Sequence, residues 1–246
     1  MRKVDPLSLQ TGIDIPFPEA RLTIHQPSIK EISMIGEFNF HLGSQFLLFD
    51  KDKILDDKDK VNLENQNNFD IFMSVMSDRK NIEHKVHALM VLSLLFPNAQ
   101  IKIEKTHILI KTGEDASSID AKNFSAFQDI IAQMFCLMEE LKGRFNPADA
   151  LAAAIAKKIK KAEAQKQEKQ QKVNLEDISV YGKYISVLSV GLKKDKNELS
   201  DYTIYQLKDE FKRFLLNQDF DMYVKMKLAG AENLEEVEDW MQNTVI

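Results

Sequence analysis

Tyr202-Thr203-Ile204-Tyr205-Gln206-Leu207-Lys208-Asp209-Glu210-Phe211-Lys212-Arg213-Phe214 decides how the C-terminal third of this 246-residue chain is read. Thr203 followed three residues later by Gln206 is a capping box, in which each side chain satisfies a backbone N–H at the start of a helix. Ile204, Leu207, Phe211, Phe214 and Leu215 then recur at helical spacing and define one apolar stripe. After Asn217 the apolar phase slips. Asp219 offers a fresh N-cap there, so the pattern predicts a second helix bearing Phe220, Tyr223, Val224 and Leu228, closed by Gly230. Upstream, Asn174 is a candidate cap for a helix carrying Ile178, Tyr181, Ile185 and Leu188 that ends at Gly191. Downstream, Asn233 would cap a short last helix whose face is Leu234, Val237 and Met241, with Trp240 beside them. Residues 174–246 therefore read as an all-α helical domain.

Working towards the N-terminus, residues 160–173 hold no large apolar side chain except Val173 and read as a basic helical extension or linker. Asn146-Pro147-Ala148-Asp149 starts a helix with Leu151, Ile155 and Ile159 on its inner face. Before it, Phe124, Phe127, Ile131, Met134, Met138 and Leu141 step by three and four residues, predicting a helix that runs to Gly143. Residues 116–159 thus form a helical hairpin.

The first 115 residues read as a small α/β domain. Pro6, Gly12, Pro16 and Pro18 suggest an extended arm over 1–20. Arg21–Gln26 reads as a strand with Leu22 and Ile24 on one face. Pro27 fits the first position of a helix continuing through Ile29, Ile32 and Phe40. Asn68 is a candidate cap for Ile71, Phe72, Val75 and Met76. A buried helix over 82–96 stops at Pro97, and Ile101–Ile103 with Ile108–Ile110 forms a short β-hairpin; strand signals stop near Thr112. The fold class expected is α+β, predominantly helical: a small α/β N-terminal part with a short β-hairpin, then an all-α C-terminal helical domain.

Composition narrows the function. A chain this long buries a core without staples, and its 15 Phe are enough to fill one. A net charge of −5 provides no global basic field to recruit nucleic acid. One cysteine, Cys136, precludes an internal disulfide and fits a reducing compartment. The longest apolar block, Ala88–Phe96, is too short to cross a bilayer, and the N-terminus lacks the apolar core of a signal peptide. The expectation is a cytoplasmic protein without membrane partners.

Motif chemistry is sparse. A calcium loop opening at Asp50 would need Gly and Glu where Leu55 and Val61 stand. His84 and His87 sit three apart with no third ligand in sequence reach, and a polar rim of a helix is the simpler reading. Cys136 has Glu139 and Glu140 nearby, the wrong sign to hold a thiolate, so it reads as a core or flanking residue. Glycine-rich phosphate loops and nucleophile elbows do not occur. The expectation is no enzyme, no cofactor and no metal. Lys157, Lys158, Lys160, Lys161, Lys166, Lys169 and Lys172 face only Glu163 and Glu168, a basic patch that would bind phosphates in a salt-dependent way. It carries no arginine or aromatic to read or stack bases, so a solvated face is preferred over nucleic-acid binding.

Three passages resemble a known family: Ser189-Val190-Gly191-Leu192, the Tyr202–Phe214 stretch, and the Leu228–Met241 ending. Together with Leu22–Ile32 leading to Gly36-Glu37, and with Phe145–Leu151, they are similar to the tail assembly chaperone-like proteins of long-tailed phages infecting low-GC Gram-positive bacteria. The resemblance implies a non-enzymatic factor that escorts the tape-measure protein, recruits tail-tube subunits and is absent from the finished particle, acting in the host cytoplasm. A structural virion component of the tail or connector is the alternative. Tyr205, Phe211, Phe214, Tyr223 and Trp240 are the expected protein-binding residues, because Tyr and Trp are favoured interface anchors. A homo-oligomer is a further expectation.

Overall fold

The computed structural model describes residues 2–50, 67–78, 81–137 and 179–231. The fold is α+β and mostly helical, with two small antiparallel sheets. The predicted helix over 146–159, the 160–173 segment with its lysines, Asn174, and the last helix from Asn233 lie outside the described residues, as does the charged loop after Asp50.

The N-terminal segment is not an extended arm. Asp5 caps a short helix, α1 (Pro6–Thr11), whose first position is Pro6 and whose end is Gly12 at φ 71°. Pro6 and Gly12, two of the four residues that argue against a helix, are its start and stop signals: proline lacks only an N–H that is orphaned there anyway, and glycine takes the left-handed turn without strain. A two-stranded sheet follows, β1 (Ile15–Phe17) and β2 (Leu22–Ile24), paired Ile15 to Ile24 and Phe17 to Leu22. Phe17 and Ile24 are fully buried. Residues 2–4 run along a later helix, where Gln133 accepts from Val4 N–H (3.0 Å) and donates to the Arg2 carbonyl (2.7 Å).

α2 (Ile29–Ile35) is capped by Ser28 in a capping box completed by Glu31, so the helix starts two residues later than predicted and Pro27 precedes the cap. Gly36, at φ 86° and ψ 136°, then breaks the chain into α3 (Glu37–Leu47), because only glycine adopts that conformation freely. α4 (Asn68–Ser77) is capped by Asn67 rather than Asn68. α5 (Ile82–Leu95) is the buried helix that the sequence predicts: Ala88, Val91, Leu92 and Leu95 are all at 0% exposure.

The predicted hairpin exists, and a third strand extends it. β3 (Gln100–Ile103) pairs with β4 (Ile108–Thr112), Ile101 opposite Ile110 and Ile103 opposite Ile108. β4 pairs in turn with β5 (Asp115–Ile119) around Gly113 at φ 62°. β5 escaped the sequence pattern because Asp115, Ala116, Ser117 and Ser118 carry no strand-favouring side chains. Its place is held by the backbone ladder and by Ile119, which is fully buried.

α6 (Phe124–Met134) buries Phe124, Phe127, Ile130, Ile131 and Met134 as the stripe requires, yet it stops well before Gly143. Cys136 takes φ 54°, Leu137 N–H donates to the Ala132 carbonyl and Cys136 N–H to that of Gln133. This is a Schellman ending with a non-glycine residue in the left-handed position. Phe135 and Cys136 turn into the core instead of continuing the stripe; Phe135 packs edge-on to Phe40 at 4.9 Å.

α7 (Val180–Leu192) starts at Ser179, whose side chain accepts from Gly182 N–H. A short α8 (Lys196–Ser200), capped by Asp195, leads into α9 (Ile204–Leu228). Leu188, Leu199, Ile204 and Leu207 join the same apolar core as Phe17, Phe40, Phe124 and Phe127.

α3 and α5 pack at unusually close range. A Cβ on Gly43 would stand 2.3 Å from the His87 carbonyl oxygen and 2.6 Å from a Val91 methyl. The obstacle is backbone, so the helices would have to separate. Gly43→Ala should therefore destabilise the protein by about 1–3 kcal/mol despite its gain in helix propensity, seen as a lower urea midpoint at unchanged slope.

Candidate protein-interaction surface

The site is built on α9, and its two halves differ. Thr203 accepts from Gln206 N–H (3.3 Å) and Gln206 accepts from Thr203 N–H (2.8 Å), the capping box foreseen in the sequence. Gln206 also donates to the Gln10 carbonyl at 2.8 Å, fastening this end to α1. Ile204 and Leu207 are buried, as is Tyr205 at 8% exposure. Phe211 stacks on Tyr184 with ring centroids 4.4 Å apart. Phe214 fills the notch left by Gly191, where a Cβ would come within 2.4 Å of its ring. The Asp209–Arg213 ion pair (2.9 Å), one turn apart, supports the helix along its side.

Beyond Leu215 the helix leaves the core without ending. The sequence pattern predicts a break after Asn217 with Asp219 as a new cap; the structure has one helix of 25 residues. The segment contains no glycine or proline to stop it, and a phase slip of apolar residues changes what is buried, not the backbone. Lys225 and Lys227 in the last turn match the negative end of the helix dipole. Gly230 (φ 84°) closes the helix in a second Schellman motif, Gly230 N–H to Lys227 and Ala231 N–H to Met226.

The consequence is a series of exposed apolar side chains distributed around the helix: Leu215, Phe220, Met222, Val224, Met226 and Leu228, the last at 83% exposure. Single exposed residues such as Leu7 or Met34 are ordinary on any surface, but six within fourteen residues of one helix set this segment apart as a candidate interaction surface.

Residues 166–245 match the family model described as the YomV second domain, a phage-derived family. The match spans α7, α8 and α9 among the described residues and covers less than half of the chain. No curated protein and no solved structure matches the chain. The YomV-like region therefore coincides with the helices that carry the exposed surface.

The structure places the sequence-predicted binding residues unequally. Tyr205 faces the core, Phe211 and Phe214 are half-buried in the α7–α9 contact, and Tyr223 is half-buried on the distal part with Lys227 Nζ 5.5 Å from its ring centroid. Trp240 and the seven lysines of the basic patch lie outside the described residues. Phe220, Met222, Val224, Met226 and Leu228 are the exposed apolar residues of the distal part. The signal that marks them is the alternation of charged and apolar residues on either side of Tyr223 over 219–227, which a helix must spread around its circumference.

Ionisable groups elsewhere do structural work. Glu37 caps α7 from a distance: Ser179 Oγ donates to it at 2.6 Å and Val180 N–H at 2.8 Å. Burial, followed by the charge of this carboxylate, pushes the Tyr181 phenol up. His84 lies against the Phe46 ring at 4.2 Å. Among the described residues no group of three His, Cys, Asp or Glu is placed to hold a metal. A cleft of about 380 Å³ between α4 and the β3–β4 turn has Asp70 and Lys105 as its ionisable lining. No described helix is long and apolar enough to cross a membrane.

His25 is clamped between Asp14 (Nδ1 to Oδ1, 2.8 Å) and Glu31 (Nε2 to Oε1, 3.3 Å), on opposite edges of its ring. That geometry staples β2 to the start of α2. Burial of the ring opposes its charging, but the hydrogen bonds to the two carboxylates outweigh burial, and its pKa lies above the usual 6.5. Burial likewise opposes the charge on Glu31, whose bonds to Ser28 and His25 nonetheless hold its pKa below 4.5. A raised histidine stabilises fully below 6.5 and fades as pH rises through its folded value; a lowered carboxylate stabilises above 4.5 and fades as pH falls through its own. The staple is thus complete between these limits. His25→Gln should cost more stability at pH 6 than at pH 9 in urea melts, and equal losses at both would show that the ring carries no charge in the fold.

Proposed function

We propose that this protein is a non-enzymatic assembly factor of phage tail morphogenesis that holds helical segments of protein clients, the tape-measure protein and tail-tube subunits, against the distal half of α9. One observation carries this reading: a helix anchored in the core over its first half leaves its second half apolar on several sides, with nothing from the described residues covering it. An amphipathic client helix gains affinity by burying such residues, and the flexible thioethers of Met222 and Met226 fit more than one client surface. The phage-derived family matched over the same region supports the setting. The resemblance to tail assembly chaperone-like proteins supplies the client class.

Fully burying one such side chain is worth about 1.5–3 kcal/mol, so a few of them give useful but reversible affinity. Val224 and Leu228, one turn apart, share one side of the helix. V224D/L228D should retain the helical content of the parent and lose co-purification with a co-expressed phage tape-measure protein, at least about tenfold on that arithmetic. Unchanged capture by the double variant would move the client site elsewhere. A stoichiometric band of the protein in purified particles would favour a tail or connector component instead.

A further inference from the structure

Residues 219–227 have an internal symmetry: Asp219-Phe220-Asp221-Met222-Tyr223-Val224-Lys225-Met226-Lys227. About Tyr223, apolar residues mirror apolar residues, and each acid mirrors a lysine. Asp219 corresponds to Lys227, Asp221 to Lys225, Phe220 to Met226. Residues three and four apart share a helix face, so Leu216, Asp219, Phe220, Tyr223, Met226 and Lys227 lie together. On that face Phe220 is 37% and Met226 43% exposed, Asp219 and Lys227 are exposed, and Leu216 and Tyr223 are half-buried.

We infer that this face pairs with the same face of a second copy, antiparallel, about a two-fold axis through Tyr223. The inference rests on reading the distal half of α9 as a protein-binding element and names one of its partners. A two-fold interface is self-complementary: what residue i contacts on the partner is contacted in return. With Tyr223 on the axis, Asp219 of each copy meets Lys227 of the other at both ends, and Phe220 meets Met226 between them. A parallel pairing in register would set Asp219 against Asp219 and Lys227 against Lys227, which repel. Charge therefore selects both the partner and its direction. The side bearing Val224 and Leu228 faces away from the axis and stays open to a client.

The paired segment spans about 12 Å of helix, so the interface falls in the weak class below about 1,200 Å² and the association is reversible. Because each Asp219–Lys227 contact occurs twice, reversing one charge turns two attractions into two repulsions. Sedimentation equilibrium of the full chain from micromolar to near-millimolar concentration should show a monomer–dimer equilibrium that weakens with salt. D219K alone and K227E alone should each dimerise at least about tenfold more weakly. An equal mixture of the two should recover association, because the lysine-bearing face of one then meets the acidic face of the other. A parent that stays monomeric, single variants that dimerise like the parent, or a mixture that fails to recover would each overturn the pairing. Client capture by a monomeric parent, lost in V224D/L228D, would leave the client-binding reading intact while this one fails.

Discussion

Two helix starts fastened to each other set the direction of α9. Ser28 opens α2 with one capping box and Thr203 opens α9 with another, and the two caps form an isolated antiparallel bridge in which Ile29 N–H donates to the Tyr202 carbonyl at 2.9 Å. Both N-termini are thereby satisfied and immobilised at one place. Thr203 is buried at 6% exposure, so its hydrogen bonds act away from competing water. Gln206 reaches α1, Lys208 Nζ reaches the Cys136 carbonyl at 3.3 Å, and Lys30 lies 3.7 Å from Asp201. With its first turns held on several sides, α9 has one course, and that course carries its last three turns clear of the described core.

The same polar stitching recurs wherever distant segments meet. Gln26, 3% exposed, donates to the Ser8 and Ile13 carbonyls and ties the end of α1 to the entry of α2. Gln128 donates to the Leu47 and Phe49 carbonyls, and Gln133 bridges Arg2 and Val4. These amides satisfy carbonyls and N–H groups at helix ends and along irregular backbone that no ladder partner serves. The apolar core drives collapse, but the amides and the Glu37 cap on α7 specify which end meets which.

The proposed client face and the proposed self-pairing face need not compete. On a helix exposed on most sides, faces about a third of a turn apart can serve different partners, and a dimer would present two client sides at once. Two weak contacts on one particle raise effective concentration, which suits the proposed role of holding a long client reversibly.

Local signals in the sequence were decisive for the existence of most elements. The stripe of α6, the all-round apolar character of α5, the β3–β4 pairing and the Thr203 capping box follow from side-chain periodicity and capping chemistry within a few residues. The sequence could not reveal contacts made by backbone. β5 is held by its ladder, Gly43 by the neighbouring His87 carbonyl, and the early end of α6 by Cys136 in a left-handed turn; none of these leaves a periodic trace. For the interaction surface, the sequence determined that 215–228 is rich in apolar residues, and its alternation fixed where they fall around a helix. Only the tertiary structure decided that Tyr205, Phe211 and Phe214 turn inward while Phe220, Met222, Val224, Met226 and Leu228 stay in water. Burial depends on what lies opposite a side chain, and that is settled by the course of the whole helix, not by the residues along it.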